Sequence, residues 1–398
     1  MSLAGAQTLR PGSPAPAPGL RAAGAPAAGA AEAEPVAAPA DPRPRSSGAG
    51  EHAVRAAWSA SRPALALSAL AVAAVAALLA ELIYGPVHIP LSDIVATLRG
   101  EADRATEAIL LQIRAPRAAL GVAVGAGLAL AGTALQGVLR NPLADPQLIG
   151  VSAGASVGAV AVIVFGAGLA AALPAALSVW LLPAAAFLGA AAVTAFVFAF
   201  SRRAGETSVA TLILAGVAAN AIAMAGVGAM IFAADDQQLR ELTFWTMGGL
   251  GAAGPAAVSI AGGAALVAGI GLARMGRALD LLQLGERAAF HAGLDVERAK
   301  LAAAGWSALA VGAVTAFAGP IGFIGLCAPH LARLLVGPNH RLVLPAAALA
   351  GVALTLAADL VARTAVPPAE PPIGIATALI GGPFFLWLLM SRLRRSHA

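Results

Sequence analysis

The chain has one cysteine, one lysine and little charge of either sign, and each shortage removes a class of function. Cys327 stands alone in an apolar run, so it has no partner for an intramolecular disulfide and no companion thiolate for a metal site; it reads as a small core residue. The lone lysine, Lys300, lies in Arg-Ala-Lys-Leu, whereas a phosphate-binding loop ends in Gly-Lys-Ser/Thr. The chain therefore cannot carry a Walker-type ATPase of its own. It also lacks a His-Glu-x-x-His helix and a cluster of ligands at zinc spacing. No enzyme activity, metal or bound cofactor is expected. Only 11% of the 398 residues are charged, against roughly a quarter in average chains.

What fills the gap is apolar. Hydrophobic residues make up 59% of the chain and the mean hydropathy is +0.82. Repeated runs of about 20 such residues are what a bilayer core of ~30 Å demands of a helix. The expected fold is all-α, a polytopic membrane protein. In a soluble chain the net charge of +5 would suggest nucleic acid. Here the basic residues are first topology signals, and no nucleic-acid partner is expected.

Residues 1–57 are Ala, Pro and Gly with scattered Arg and no hydrophobic period, which predicts a disordered cytoplasmic tail. From 58 to 398 a transmembrane domain is expected. Apolar segments appear near 64–84, 116–139, 148–170, 174–201, 208–233, 253–273, 299–318, 321–336, 342–362 and 373–391, giving about ten transmembrane helices. The eighth is short and carries Pro329, His330 and Arg333, so it is expected to be kinked or partly buried within the bundle. Gly150, Gly154 and Gly158, and before them Gly121 and Gly125, recur every four residues, a spacing that lets helix backbones approach closely in lipid.

Orientation follows from the basic residues of the connections. On the side of the 284–300 loop lie Arg140, Arg202, Arg203, Arg274, Arg277, Arg287, Arg298, Lys300, Arg341, Arg392, Arg394 and Arg395. The other side holds Arg99, Arg104, Arg114, Arg117, Arg240 and Arg363. The positive-inside rule makes the first side cytoplasmic, with both termini inside.

Three polar features stand out. LGERAAFHAGLDVERAK, residues 284–300, packs Glu286, Arg287, Asp295, Glu297, Arg298 and Lys300 together, either as a partner surface or as a solvated loop that fixes topology. RNPLADPQLIG, residues 140–150, reads as a tight turn whose prolines stop helices and whose Asp145 caps the next one. Within the spans, Asp359 and Arg363 have i, i+4 spacing, so a structural pair stands beside the alternative of a proton relay in an ion-coupled transporter. Gln136 and Asn220 are expected to bond between helices.

The run QIRAPRAALGVAVGAGLALAGTALQGVLRNPLADPQLIGVSAGASVGA, residues 112–159, resembles the permease subunits of bacterial ATP-binding-cassette importers for ferric siderophores, haem and cobalamin. So do TLILAGVAANAI at 211–222, FWTMGGL at 244–250, GPIGFIGLCAPHLARLLVGPNHRLVLP at 319–345 and PPIGIATALIGGPFFLWLL at 371–389. The resemblance spans roughly 60–395 and implies a type II importer permease of the cytoplasmic membrane. It implies a second permease copy, identical or paralogous, ATPase subunits that use the ATP, and an extracytoplasmic substrate-binding protein. The 284–300 stretch matches the coupling helices that dock on the ATPase, with Leu284, Gly285, Glu286, Ala288, Ala289, Gly293 and Leu294 as the contact surface and Arg287 and His291 at its edge. Arg114, Arg117 and Arg363 match the arginines that receive carboxylates of the binding protein; interfacial snorkelling is the alternative for them. Glu206, Thr207 and Ser208 fall at the cytoplasmic gate. A ferric siderophore is the expected cargo, ahead of haem or cobalamin.

Overall fold

The computed structural model describes residues 48–203, 206–366 and 369–396, with the side chains of 48–61, 203, 388, 389 and 391–396 outside that description. The first elements are helices α1 (Gly48–Ile83), α2 (Leu91–Arg99), α3 (Arg104–Ala108) and α4 (Ala115–Val138). After a 3-10 turn, Pro146–Ile149, come α5 (Val151–Phe165), α6 (Ala167–Ala172), α7 (Ala175–Ser178) and α8 (Leu181–Ser201). A two-residue antiparallel ladder, β1 (Arg202–Arg203) with β2 (Glu206–Thr207), leads into α9 (Val209–Phe232) and α10 (Asp236–Met247). Then follow α11 (Pro255–Arg274), α12 (Gly276–Gln283), α13 (Glu286–His291), α14 (Val296–Ala318), α15 (Ile324–Val336), α16 (His340–Ala365) and α17 (Ile373–Ser396).

Among the described residues, seven stretches are long and apolar enough to cross a membrane: Arg62–Ile83, Arg104–Val138, Ala175–Ser201, Val209–Phe232, Pro255–Arg274, Val296–Ala318 and His340–Ala365. Val151–Phe165, Ile324–Val336 and Ile373–Trp387 are shorter apolar helices. Each apolar segment expected from the sequence falls on one of these. The predicted tail lies outside the described residues as far as 47, and from Gly48 the chain is already helical. The second stretch starts earlier than its apolar run, because a π-helical turn, Ile109–Arg114, joins α3 to α4 without a break.

α4 is the axis of the bundle, buried along nearly its whole length against α11, α14, α15 and α16. Small residues make that possible. A Cβ on Gly132 would sit 1.8 Å from the Gly325 carbonyl oxygen, and one on Gly125 2.5 Å from that of Gly351. The same holds between α5 and α8, where a Cβ on Gly158 would sit 2.0 Å from the Ala185 carbonyl oxygen. Of the glycines at four-residue spacing, Gly125, Gly154 and Gly158 are where helix backbones touch, whereas Gly121 and Gly150 make room for the side chains of Leu356 and Val193. Large apolar side chains instead point outward from α1, α8 and α9, among them Leu65, Phe200 and Ile222, as a hydrocarbon solvent requires.

The 140–150 connection is a turn, as its prolines suggest. Asp145 accepts from the Gln147 backbone N–H at 2.8 Å and so caps the 3-10 turn ahead of α5. Burial pushes its carboxyl above the ordinary aspartate range, and the Gln147 N–H partly offsets this. Gln136 donates to the Ala144 carbonyl at 3.2 Å and accepts from Arg333, while Asn220 donates to the Gln147 carbonyl at 3.2 Å. Both amides therefore bind between elements, as expected. Gly150-Val-Ser-Ala-Gly154 has the spacing of a hydrolase nucleophile elbow, yet Ser152 follows a 3-10 turn and opens a buried helix, so the strand-to-helix corner is not formed.

Candidate functional site

Two groups of charged residues lie at opposite ends of α4. The helix runs from Arg117 near its start to Val138 just before Arg140, about 35 Å at 1.5 Å per residue.

At the Arg140 end, glycine shapes the charged stretch. Gly285 (φ 106°) and Gly293 (φ 85°) take backbone conformations that side chains disfavour, so the chain can turn sharply on both sides of α13. The Leu294 N–H bonds back to the Ala289 carbonyl at 3.0 Å and the Gly293 N–H to that of Phe290 at 2.9 Å, which closes the helix. Ala289 is consequently buried and Leu294 half-buried against α12 and α14, whereas Arg287, Ala288, Phe290 and His291 face out. Ala289 is therefore not part of an outer contact surface, contrary to the sequence expectation: its side chain packs the helix down.

The charges divide the same way. Arg298 and Asp295 pair with each other at 3.0 Å in solvent. Lys300 is buried, and its ammonium donates to the Thr207 carbonyl at 2.9 Å, to Glu286 Oε2 at 2.8 Å and to Glu297 Oε1 at 3.1 Å. Glu297 accepts from the Thr207 backbone N–H at 2.9 Å and from its hydroxyl at 2.7 Å. Arg140 approaches Glu286 to 3.8 Å, so two cations balance two carboxylates. A buried cation needs such a full set of acceptors, because an unpaired one costs several kcal/mol.

The two residue sets read separately from the sequence thus meet. A recess of about 1750 Å³ is lined by Arg140, by Glu206, Thr207, Ser208 and Val209, and by residues 284–297 apart from Ala289 and Ala292. Ser208 accepts from the Thr211 N–H at 3.4 Å and caps α9 at the recess wall. Sequence reasoning placed Lys300 in the charged loop but missed its role as the junction. A sole lysine near the start of an apolar helix was the available signal.

At the other end, Arg117 donates from Nε and Nη2 to the two oxygens of Asp359, at 2.7 and 3.0 Å, and from Nη1 to Glu370 at 2.6 Å. Arg363 pairs with Glu81 at 3.0 Å and also donates to the Glu81 carbonyl. Arg114 donates to the carbonyls of Leu82, Ile83 and Val87. A Cβ on Gly85 would lie 2.9 Å from the Arg114 guanidinium, so a side chain there would displace that group from its carbonyls. Three arginines face three carboxylates, Glu81, Asp359 and Glu370.

This geometry corrects two expectations. Asp359 and Arg363 do not satisfy each other along α16; each takes its partner from another helix, α4 or α1. Arg114 and Arg363 are only 3% and 4% exposed, so they neither snorkel nor offer free forks to a protein outside. They hold the end of α1 against α4 and α16. Of the three arginines, Arg117 is the one joined to an exposed group, Glu370.

The chain is an α-helical membrane bundle with close glycine contacts and a charged recess at one end. The FecCD transport family matches residues 72–391, and the chain belongs to that family, as a permease subunit of an ABC importer. It is 45% identical over 284 residues to the hemin transport system permease protein HmuU of Yersinia pestis, covering 71% of this chain and 83% of that one. It is 41% identical over 297 residues to the cobalamin import system permease protein BtuC of Halobacterium salinarum, covering 75% and 77%. With the vitamin B12 import system permease protein BtuC of Shigella boydii it shares 39% over 331 residues, covering 82% and 95%. Its fold matches a solved inward-facing metal-chelate type ABC transporter with a TM-score of 0.72 and 31% identity, over 82% of this chain and 98% of that chain.

Proposed function

We propose that this chain is the membrane-spanning subunit of an ATP-driven importer that carries an iron chelate across the cytoplasmic membrane, with haem as the first cargo to test. The observation that carries the reading is the recess where the exposed segment around α13 joins the entrance of α9. Leu284 and Phe290 stand out from its rim, 72% and 68% exposed, as apolar contacts for a partner would. In this reading the partner is a separate ATPase subunit, on the cytoplasmic side where the basic connections lie. A substrate-binding protein docks at the Arg117 end, and a second permease copy completes the path. ATP binding and hydrolysis below displace the 284–300 region, and the bundle alternates between its two openings.

Haem takes precedence because a haem permease shares 45% of aligned residues. Cobalamin is the second reading, favoured by the two BtuC relatives. The ferric siderophore expected from the sequence finds no counterpart in those names and remains one arm of the same test. Cells lacking the gene are given radiolabelled hemin, cyanocobalamin or ferric siderophores. Loss of hemin uptake, restored by the gene, supports the reading. Loss of only cobalamin or siderophore uptake reassigns the cargo, and unchanged uptake of all three sinks it.

A further inference from the structure

We infer that Lys300 is a positioning residue that carries displacement of the exposed α13 segment to the β1–β2 hairpin at the mouth of α9; this rests on the proposed ATPase contact. Three elements converge on its ammonium. Glu286 opens α13, Glu297 lies one turn before Lys300 on α14, and Thr207 ends β2 directly before the Ser208 cap of α9. Glu297 also holds Thr207 by backbone and hydroxyl, so the last residue of the hairpin is gripped from two sides.

The recess explains why one side chain matters. Open space separates the face of α13 from residues 206–209; Glu286, Glu297 and Thr207 line it, and all three meet the buried Lys300 ammonium behind its wall. A force on α13 therefore reaches the hairpin through Glu286, Lys300 and the Thr207 carbonyl. The chemistry suits lysine. Its ammonium has three rotatable donors for three acceptors in different directions, whereas a guanidinium is a planar fork. The chain uses arginine at every other basic position apart from its histidines.

The test compares the parent, Lys300→Met and Lys300→Arg in cells lacking the chromosomal gene, with uptake of hemin, cyanocobalamin and a ferric siderophore normalised to permease in the membrane. For the cargo that the parent restores, Lys300→Met should lower the maximal rate about tenfold, the scale of a typical coupling between sites. The half-saturating concentration should stay within a factor of about two, because cargo arrives at the far end of the bundle, and Lys300→Arg, which keeps the charge but not the three-way geometry, should recover only part of the rate. A merely structural role would lower the amount of permease and leave the rate per molecule intact. If Lys300→Met does not reach the membrane, Glu297→Gln, which keeps the lysine and its other two acceptors, should still reduce the maximal rate per molecule.

A parent-like rate per molecule in Lys300→Met, or in Glu297→Gln where the first is absent, overturns the inference while leaving the importer reading intact. A parent that restores none of the three cargoes overturns both.

Discussion

Arg117 and Asp359 are 242 residues apart in the chain and form a two-pronged ion pair, with Asp359 buried. The pair joins α4 to α16 at the end of the bundle where α1 also closes. Breaking a buried pair costs about 3–5 kcal/mol when a charge is left with no partner; here Arg117 keeps the half-exposed Glu370, so the loss should fall below that range. Asp359→Ala should therefore lower the unfolding temperature of the purified protein in detergent. Adding Arg117→Met should recover part of the loss. An Asp359→Ala protein as stable as the parent would show that the pair adds nothing to holding the helices together.

Glu370 makes a different kind of contact. Its side chain is 42% exposed, and exposed pairs contribute about 0–1 kcal/mol. Glu370→Gln should leave stability unchanged but free one edge of the Arg117 guanidinium. If the binding protein presents a carboxylate there, docking should tighten by a few fold, more so at low salt. Titration of the reconstituted permease with its binding protein reads this directly. Weaker docking would remove Arg117 from the proposed contact.

The helices and their close contacts were legible in the sequence because both rest on short-range pattern. Long apolar runs leave few alternatives in lipid, and glycine every fourth residue marks where helices pack closely. Polar partnerships were less legible. Asp359 and Arg363 had the spacing of a local pair, but each found a better-placed opposite charge on another helix, and no single-chain periodicity encodes that choice. Lys300 shows the same limit: its acceptors include a carbonyl 93 residues away, and only the fold brings them together.

Gly132 offers a test of the packing. A methyl group there would meet the Gly325 carbonyl oxygen at 1.8 Å, backbone against backbone, with no flexible side chain to yield. Gly127, one helical turn and a half earlier on α4, has its nearest neighbour at 3.5 Å. Gly132→Ala should separate α4 from α15 and cost at least the 1–3 kcal/mol typical of overpacking, about enough to reduce the amount of folded permease in the membrane. Gly127→Ala should be tolerated. Equal yield and melting temperature for the two variants would mean that the α4–α15 contact is looser than this geometry.

Leu284 and Phe290 carry the last prediction. Both are large, apolar and mostly exposed on either side of a buried Ala289, Phe290 on α13 and Leu284 just before it, so the segment is pinned by one residue while presenting two others. Substituting them should scarcely affect the fold, since they bury little within the chain. If they are the anchors of the ATPase contact, Leu284→Ser and Phe290→Ser should each weaken co-purification with the ATPase by about tenfold, roughly the loss of one interface hot spot. The unfolding temperature of the isolated permease should stay within a degree or two, about what surface substitutions give. Undiminished ATPase capture by both variants would move the contact away from the rim of the recess. A fall in stability equal to the fall in capture would instead make the two side chains part of the fold.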